Sequence, residues 1–352
     1  MEYPNINVKK LRLLHNGVVI PAHPLILNES RELDEPRQRR LTRYYIEAGA
    51  GGIAIGVHTT QFELHQNPRL YEHLLQITAD EVDSRCPDII KIAGVYGKLS
   101  NAVREAEVAR KIGYDLALVI PQGIGTCNEQ YHLHRMNEIA KIIPIFGFYL
   151  QPEVGGCDFS FDFWRQVAEI PNLFAIKVAA FNRYFTIDVM KAVAFAKRRE
   201  EIALYTGNDD HIVLDLLTPY SFQENGNEVT VYFVGGLLGQ WAVWTRRAVQ
   251  LLNEIKSMRR DSRIPIDLLR KNVELTDINS AIFDVRNHFK GSIAGIHKVL
   301  QKDGFVDKIY LLNPEERLSQ GQEKEIDRIY QMYPDWRDDD FIRTYQEKWL
   351  SE

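Results

Sequence analysis

The sequence predicts an α/β fold, specifically a (β/α)8 TIM barrel followed by a C-terminal helical domain. Between Val18 and about Lys256, eight short apolar runs alternate with longer helix-like segments. The runs are rich in Val, Ile and aromatic residues and are bounded by Gly or Pro, which is typical of buried strands rather than helices. Their starts lie roughly 20 to 40 residues apart, which is enough for one crossover helix between parallel strands. Eight such units match the roughly 250 residues of a barrel.

The predicted strands share a continuous apolar character, which favours a parallel sheet covered by helices on both faces. An open doubly wound sheet is the alternative, but no G-x-G-x-x-G follows the first strand, where a dinucleotide site would carry it. In order, the runs are VVIPA (18–22), GIAIG (52–56), IIKIAG (89–94), LALVIP (116–121), IPIFGFYL (143–150), LFAIKVAAF (173–181), IALYTG (202–207) and VTVYFVGG (229–236).

The pattern changes after about residue 257. From there the sequence has helix-like segments and no convincing strand, and it closes with a charged amphipathic helix, DWRDDDFIRTYQEKWLSE. A length of 352 residues also suggests about two domains. We therefore expect the barrel and its active site in residues 1–256 and a helical domain and extension in residues 257–352.

The composition excludes several classes of protein. Lys and Arg number 43 against 48 Asp and Glu, for a net charge of −5, and 45% of residues are apolar. This argues against disorder and against a basic nucleic-acid binder. The sequence has no uninterrupted apolar stretch of the roughly 20 residues that a membrane span needs. Its first residues show neither the apolar core nor the cleavage site of a signal peptide, so we expect none. The three cysteines lack metal-ligand spacing, so we expect reduced thiols and a cytoplasmic location.

Lys177 is the sharpest candidate for chemistry, because barrel enzymes carry their active sites at the C-terminal ends of the strands. It is the one polar side chain within LFAIKVAAF. Lysine is rarely buried unless it is paired, and desolvation favours its neutral form. A neutral lysine is a nucleophile that can form an imine with a ketone. The alternatives are a lysine that extends to the strand end or pairs with a core carboxylate.

Tyr149 and the pair Thr59 and Thr60 are the other candidates. Tyr149 lies near the end of the fifth strand, next to the sixth, so it and Lys177 can face the same cavity if both side chains point inward. Its hydroxyl could then move a proton to or from a carbonyl-derived oxygen; alternatively it is a core aromatic with a satisfied hydroxyl. The threonines follow the second strand, where hydroxyl and N–H groups suit a carboxylate or phosphate, although β-branched residues are also common there. Together the three parts would activate a 2-oxo acid.

Four motifs occur in an order and spacing that resemble the dihydrodipicolinate synthase / N-acetylneuraminate lyase family of class I aldolases. The resemblance covers roughly residues 17–300, and VIP (119–121) and GGLLG (235–239) also fall where the family has similar segments. The motifs are HTT (58–60) for the family's GTTGE, YLQPEVGG (149–156) for Y-N-x-P-x-x-x-G, AIK (175–177) for the G-I-K that carries the Schiff-base lysine, and TGNDD (206–210) for S-G-D-D.

The resemblance implies a role for each matching residue. Lys177 would form the imine with pyruvate or another 2-oxo acid, and Tyr149 and Thr60 would move protons. Thr59 and Thr60 would hold the carboxylate, and Gly207 and Leu237 would line the pocket. The family uses no metal or organic cofactor and forms homotetramers or homodimers. The partners would be a 2-oxo acid and an aldehyde, with no nucleic acid and no membrane.

The chain also departs from the family pattern. His58 replaces the glycine before the threonines, Gln122 and Gly123 stand where the family has tyrosines, and Val154 stands where lysine-pathway members have an arginine. These changes favour a different aldehyde partner, which His58 would contact unless it is a packed loop histidine.

Three other functions remain open. One is a dehydratase or hydratase-aldolase of the same family, and another is a non-catalytic homologue that binds a 2-oxo acid. The third is a metal-dependent barrel hydrolase, which ten histidines and the HLH at 132–134 invite. However, residues two apart on a helix do not face each other.

Overall fold

The computed structural model describes residues 5–259, 261 and 263–351, and these divide into two compact units. The first unit contains the residues up to Val18 together with Ile90–Leu237, and the second contains Val19–Ile89 together with the residues from Leu238 onward. Both units combine segments that are distant in the sequence. The domain boundary at residue 257 therefore stays a prediction.

Strands and helices alternate along the chain as in a (β/α)8 barrel. The strands are β1 (Val19–Pro21), β2 (Gly52–Ile55), β3 (Ile90–Val95), β4 (Leu116–Val119), β5 (Ile145–Leu150), β6 (Leu173–Ala179), β7 (Ala203–Thr206), β8 (Tyr220–Glu224), β9 (Asn227–Val231) and β10 (Phe233–Leu238). The helices are α1 (Val8–Asn16), α2 (Glu35–Ala48), α3 (Pro68–Arg85), α4 (Leu99–Ile112), α5 (Glu129–Ala140), α6 (Phe161–Ala168), α7 (Arg183–Ala194), α8 (Ile212–Leu217), α9 (Thr245–Met258), α10 (Ile266–Ile282), α11 (Ser292–Lys302), α12 (Gln322–Met332) and α13 (Asp339–Ser351).

The sheet of the first unit is parallel, and its neighbours follow the order β3, β4, β5, β6, β7, β10. Every residue of β3, β4, β5 and β7 is buried, as the continuous apolar runs predict. The other two strands of the first unit's sheet are buried except at Phe174 in β6 and Val234 in β10. In the second unit, β1 and β2 are joined by a parallel bridge between Ala22 and Ala54.

Local signals in the sequence determine several helix ends. The side chain of Asp34 accepts a hydrogen bond from the backbone N–H of Arg37 at the start of α2, and Gly49 ends this helix in the left-handed conformation that glycine favours. The helices predicted after residue 257 are present as α10, α11, α12 and α13. Within the described part of the chain, no helix has the length and apolar character needed to cross a membrane.

The eighth predicted strand is wrong as one element. Residues 227–231 belong instead to an antiparallel hairpin of β8 and β9, and the eighth barrel strand begins at Phe233. The turn between β8 and β9 contains Asn225 and Gly226, which have φ angles of 50° and 80°. Asn-Gly with two positive φ values is a strong hairpin signal. The apolar run VTVYFVGG therefore covers two elements with different partners.

The prediction of three reduced thiols is also wrong. Cys127 and Cys157 form a disulfide with a Cα–Cα distance of 5.6 Å, and Cys86 is free. Cys127 lies in the loop after β4 and Cys157 in the loop after β5, and these strands are neighbours in the sheet. Spacing along the chain could not reveal this pairing, because only the sheet order brings the loops together.

We expect the disulfide to stabilise the first unit. Closing a loop with a sequence separation of 30 residues restricts the unfolded chain and is worth about 3 to 4 kcal/mol in the chain-entropy model. Cys127→Ser or a reductant should lower the thermal unfolding temperature, whereas Cys86→Ser should not. Reaction of all three cysteines of the native protein with a thiol reagent, or equal unfolding temperatures with and without reductant, would contradict the pairing.

Candidate active site

Lys177 lies on an apolar face of the first unit's sheet. It pairs in register with Phe148 on β5 and with Tyr205 on β7. Residues paired in register on neighbouring strands point to the same side of a sheet, so these three side chains share one face, called here the Lys177 face. The Lys177 Nζ lies over the Phe148 ring, 4.4 Å from its centroid. Lys177 is 7% exposed, so its amine is nearly removed from solvent.

Gly207 packs directly against the lysine side chain. A Cβ atom at residue 207 would lie 2.6 Å from Cε of Lys177 and 2.9 Å from Cβ of Ala179, closer than real Cβ contacts. The backbone N–H of Gly207 donates to the Val178 carbonyl at 2.7 Å. The loop after β7 can therefore approach Lys177 only because residue 207 has no side chain.

The environment increases the neutral fraction of the Lys177 amine. Burial lowers the pKa of Lys177 to about 8, and the carboxylate of Asp209 opposes this by raising it. The neutral form is thus accessible within the physiological pH range, whereas an ordinary lysine has a pKa of about 10.4. A neutral amine on an apolar, nearly dry surface is the arrangement that nucleophilic lysines use.

Tyr149 does not share the Lys177 face. Its partner in register is Val178, one residue beyond Lys177, so its side chain points to the opposite side of the sheet. There its ring stacks on Trp164 at 5.6 Å and lies 6.2 Å from the ring of Phe185. The expectation that Tyr149 and Lys177 face one cavity is therefore wrong. The surroundings of Tyr149 match the alternative interpretation, in which it is a core aromatic residue.

The Tyr149 hydroxyl has a partner on that opposite side. It donates to Oδ1 of Asp158 at 3.2 Å. Burial, with a further contribution from the Asp158 charge, raises the pKa of Tyr149. The aromatic residue that does contact the lysine amine is Phe148, which the sequence analysis did not single out.

The remaining predicted residues are divided between the units. Leu237 is fully buried in β10 of the first unit. His58, Thr59 and Thr60 form a short 3₁₀ helix after β2 in the second unit. The hydroxyl of Thr59 donates to the carbonyl of Ala22 at 2.6 Å.

The hydroxyl of Thr60 is engaged in the same way, since it donates to the carbonyl of His23 at 2.7 Å. Both hydroxyls therefore fasten the 3₁₀ helix to the segment after β1. His58 is half-buried, and its ring lies 5.5 Å from that of Phe62.

The histidines do not mark a metal centre among the residues that the structure describes, where no group of three His, Cys, Asp or Glu side chains is placed to hold a metal ion. His132 lies within α5, where its Nε2 is 2.9 Å from the carbonyl oxygen of Thr126. His23 is fully buried after β1, and burial lowers its pKa to about 3. Both have local structural partners.

The chain matches the model of the dihydrodipicolinate synthetase family over residues 16–219. It is 28% identical to N-acetylneuraminate lyase 2 of Escherichia coli O6:H1 over 195 residues, covering 54% of this chain and 61% of that protein. The matched region thus spans about three fifths of that relative's length.

Solved structures extend the likeness to most of the chain. A dihydrodipicolinate synthase of Bacillus anthracis has a TM-score of 0.72 at 16% identity and covers 90% of this chain and 98% of its own. YagE of E. coli K12, a prophage protein of the dihydrodipicolinic acid synthase family solved in complex with pyruvate, has a TM-score of 0.72 at 16% identity and covers 89% and 97%. The N-acetylneuraminate lyase of Fusobacterium nucleatum has a TM-score of 0.70 at 18% identity and covers 91% and 99%.

These similarities settle the fold and the family. The alternating parallel strands and crossover helices, followed by C-terminal helices, match the barrel fold of those enzymes, so the predicted fold class is confirmed. The family model covers more than half of the 352 residues. The chain therefore belongs to the dihydrodipicolinate synthetase family.

Proposed function

We propose that the protein is a class I lyase that acts through a Schiff base between Lys177 and a 2-oxo acid, pyruvate being the simplest. The observation that carries this proposal is the isolated amine of Lys177 on an apolar face, with Phe148 and Gly207 packed against it. The similarity to YagE, whose structure was solved with pyruvate, supports the substrate class. The similar structures include a dihydrodipicolinate synthase and an N-acetylneuraminate lyase, which supports a lyase reaction.

The chemistry follows from the neutral amine. Nζ of Lys177 attacks the ketone carbon, and the neutral carbinolamine takes up one proton and loses water to give an iminium ion. The positive nitrogen withdraws electrons, so a proton leaves the adjacent carbon and an enamine forms. The enamine carbon then bonds to an aldehyde carbon, and water releases the product and restores the lysine. The lysine supplies the electron sink, so the proposal names no metal or organic cofactor.

The apolar neighbours of Lys177 have a specific part in this scheme. A dry surface favours the neutral amine before the attack. The Phe148 ring offers its negative face to the cation once the iminium ion forms. The negative charge of the Asp209 carboxylate, which raises the pKa of Lys177, stabilises the same cation. Both charge states of the nitrogen thus have a stabilising neighbour.

Thr59 and Thr60, whose hydroxyls fasten the turn after β2 in this structure, are the proposed contacts for the carboxylate of the 2-oxo acid, as the family resemblance implies. We assign the aldehyde partner to a class other than that of dihydrodipicolinate synthesis, because Val154 replaces the arginine. Gly207 and Leu237 are the proposed lining of the Lys177 pocket, and His58 is a proposed contact for the aldehyde. A homo-oligomer remains part of the proposal; the cytoplasmic location, which rests on reduced thiols, does not, because Cys127 and Cys157 form a disulfide.

Trapping of the imine tests the proposal directly. Incubation with pyruvate and borohydride should add one pyruvate less one oxygen atom to the protein, and peptide mapping should place it on Lys177. Lys177→Met keeps the apolar stem and should abolish the adduct, whereas Lys91→Met, at another buried lysine, should retain it. A panel of 2-oxo acids that gives no adduct would indicate a non-catalytic homologue. An adduct that persists in Lys177→Met would reject the assignment.

The pH dependence of trapping should follow the lowered pKa of Lys177. The pKa of Lys177 is about 8, and below it the neutral fraction of the amine falls about tenfold for each unit by which the pH is lowered. The trapping rate at low 2-oxo acid concentration should therefore rise steeply up to about pH 8 and then level off. The measurement uses cyanoborohydride over pH 6 to 10. A rate that keeps rising steeply from pH 8 to pH 10 would indicate an ordinary exposed lysine.

Tyr149→Phe tests the unexpected orientation of the tyrosine. The substitution removes the hydrogen bond to Asp158 and should cost about 1 kcal/mol of stability or less, because that carboxylate is exposed. The trapping rate should stay within about twofold of the wild-type value. Phe148→Leu, its matched variant on the Lys177 face, should slow trapping. A loss of about a hundredfold in Tyr149→Phe would restore the predicted proton-transfer role.

A further inference from the structure

The loop that packs against Lys177 is fastened from the other side of the sheet by a buried carboxylate. Asp215 lies on α8 and has no exposed surface. Its Oδ2 accepts hydrogen bonds from Oγ1 of Thr206 at 2.7 Å and from Nδ2 of Asn208 at 2.9 Å. These two donors are the residues on either side of Gly207.

The same carboxylate also holds two more distant elements. Its Oδ1 accepts from the hydroxyl of Tyr220 on β8 at 3.0 Å and from the guanidinium of Arg183 on α7. Four donors converge on this carboxylate, and the Arg183 charge offsets its own. A buried charge that is paired and hydrogen-bonded in this way holds its partners firmly, because releasing any of them leaves a costly unsatisfied group.

Asn208 passes this constraint to the loop after β6. It has no exposed surface, and its Oδ1 accepts from the backbone N–H of Phe181 at 2.9 Å. Phe181 has a φ of 50°, which is uncommon for a residue with a side chain and requires support from its surroundings. Asp215 thus fixes the loops that follow both β6 and β7.

We propose that Asp215 is a positioning residue for Lys177: by anchoring Thr206 and Asn208 it holds the Gly207 backbone against the lysine side chain and keeps water away from the amine. This role rests on the proposed function, because the packing would control the reactivity of Lys177 as the nucleophile. It assigns no contact between Asp215 and the substrate. Strand alternation places Thr206 and Lys177 on opposite sides, so Asp215 acts only through the backbone.

Two nearly isosteric variants separate this role from ordinary stabilisation. Thr206→Val and Tyr220→Phe each remove one hydroxyl donor to Asp215. Thr206 is next to Gly207, whereas Tyr220 lies on the hairpin. If Asp215 only stabilises the fold, the two substitutions should affect Lys177 alike. If it positions the loop, only Thr206→Val should change the lysine.

The readout is the apparent pKa of Lys177, measured from the pH dependence of its reductive methylation by formaldehyde and cyanoborohydride with mass mapping. This reaction needs no 2-oxo acid. In Thr206→Val, water should reach the amine and raise its apparent pKa by about one unit, which decreases reactivity at pH 7 about tenfold. Tyr220→Phe should retain the wild-type value. Asn208→Ala serves as the second variant if Thr206→Val does not fold, and thermal unfolding identifies folded proteins.

Each outcome decides the proposal. A raised apparent pKa of Lys177 in Thr206→Val or Asn208→Ala, with no such shift in Tyr220→Phe, supports the proposal. Equal pKa values in all proteins, or an equal shift in Tyr220→Phe, overturn it. Pyruvate trapping, measured in parallel, separates the two proposals. A wild-type protein that is methylated at Lys177 with the expected variant pattern but never traps a 2-oxo acid would reject the proposed function and retain the role of Asp215.

Discussion

The removal of one amine from water is the constraint on which the candidate site depends. Burying the ammonium group of Lys177 is unfavourable unless the group loses its proton or gains a compensating partner. The structure provides both routes, because burial lowers the pKa of Lys177 to about 8 while Phe148 and Asp209 stabilise the cation. Close packing by Gly207 maintains the dry surface. An alanine at residue 207 would have to displace the lysine or the strand.

The two sides of the first unit's sheet have different tasks. The Lys177 face is apolar and sets the reactivity of the amine. On the opposite side, polar contacts fix the loops: Asp215 anchors the residues around Gly207, and the Tyr149 hydroxyl donates to Asp158. Nearby, the disulfide and the hydrogen bond from Ser160 to Glu129 join the loops after β4 and β5. The positions of these loops are thus held by residues that do not contact the Lys177 amine.

The parts of the fold that the sequence predicts well are those that depend on local patterns. Buried strands, helix ends at Gly49 and Gly113, and the helices after residue 257 all follow from hydrophobic periodicity and capping residues. Lys177 was also predictable, because a lone polar side chain in an apolar strand is a local anomaly. The Cys127–Cys157 pair and the Asp215 contacts were not, since they depend on which loops the sheet order brings together. The hairpin was detectable from Asn225-Gly226 but was concealed by its apolar neighbours.

The orientation of Tyr149 shows why motif spacing is a weaker guide than chemical context. Side chains alternate along a strand, so a shift of one residue in register exchanges its two faces. The resemblance assigns Tyr149 a position in the chain, but only the register decides whether Phe148 or Tyr149 meets Lys177. A tyrosine suits either side, because its ring can pack and its hydroxyl can find a partner in both. A lysine in the same strand has no such freedom. Its surroundings must either neutralise or compensate its charge, and that requirement identifies Lys177 independently of any motif.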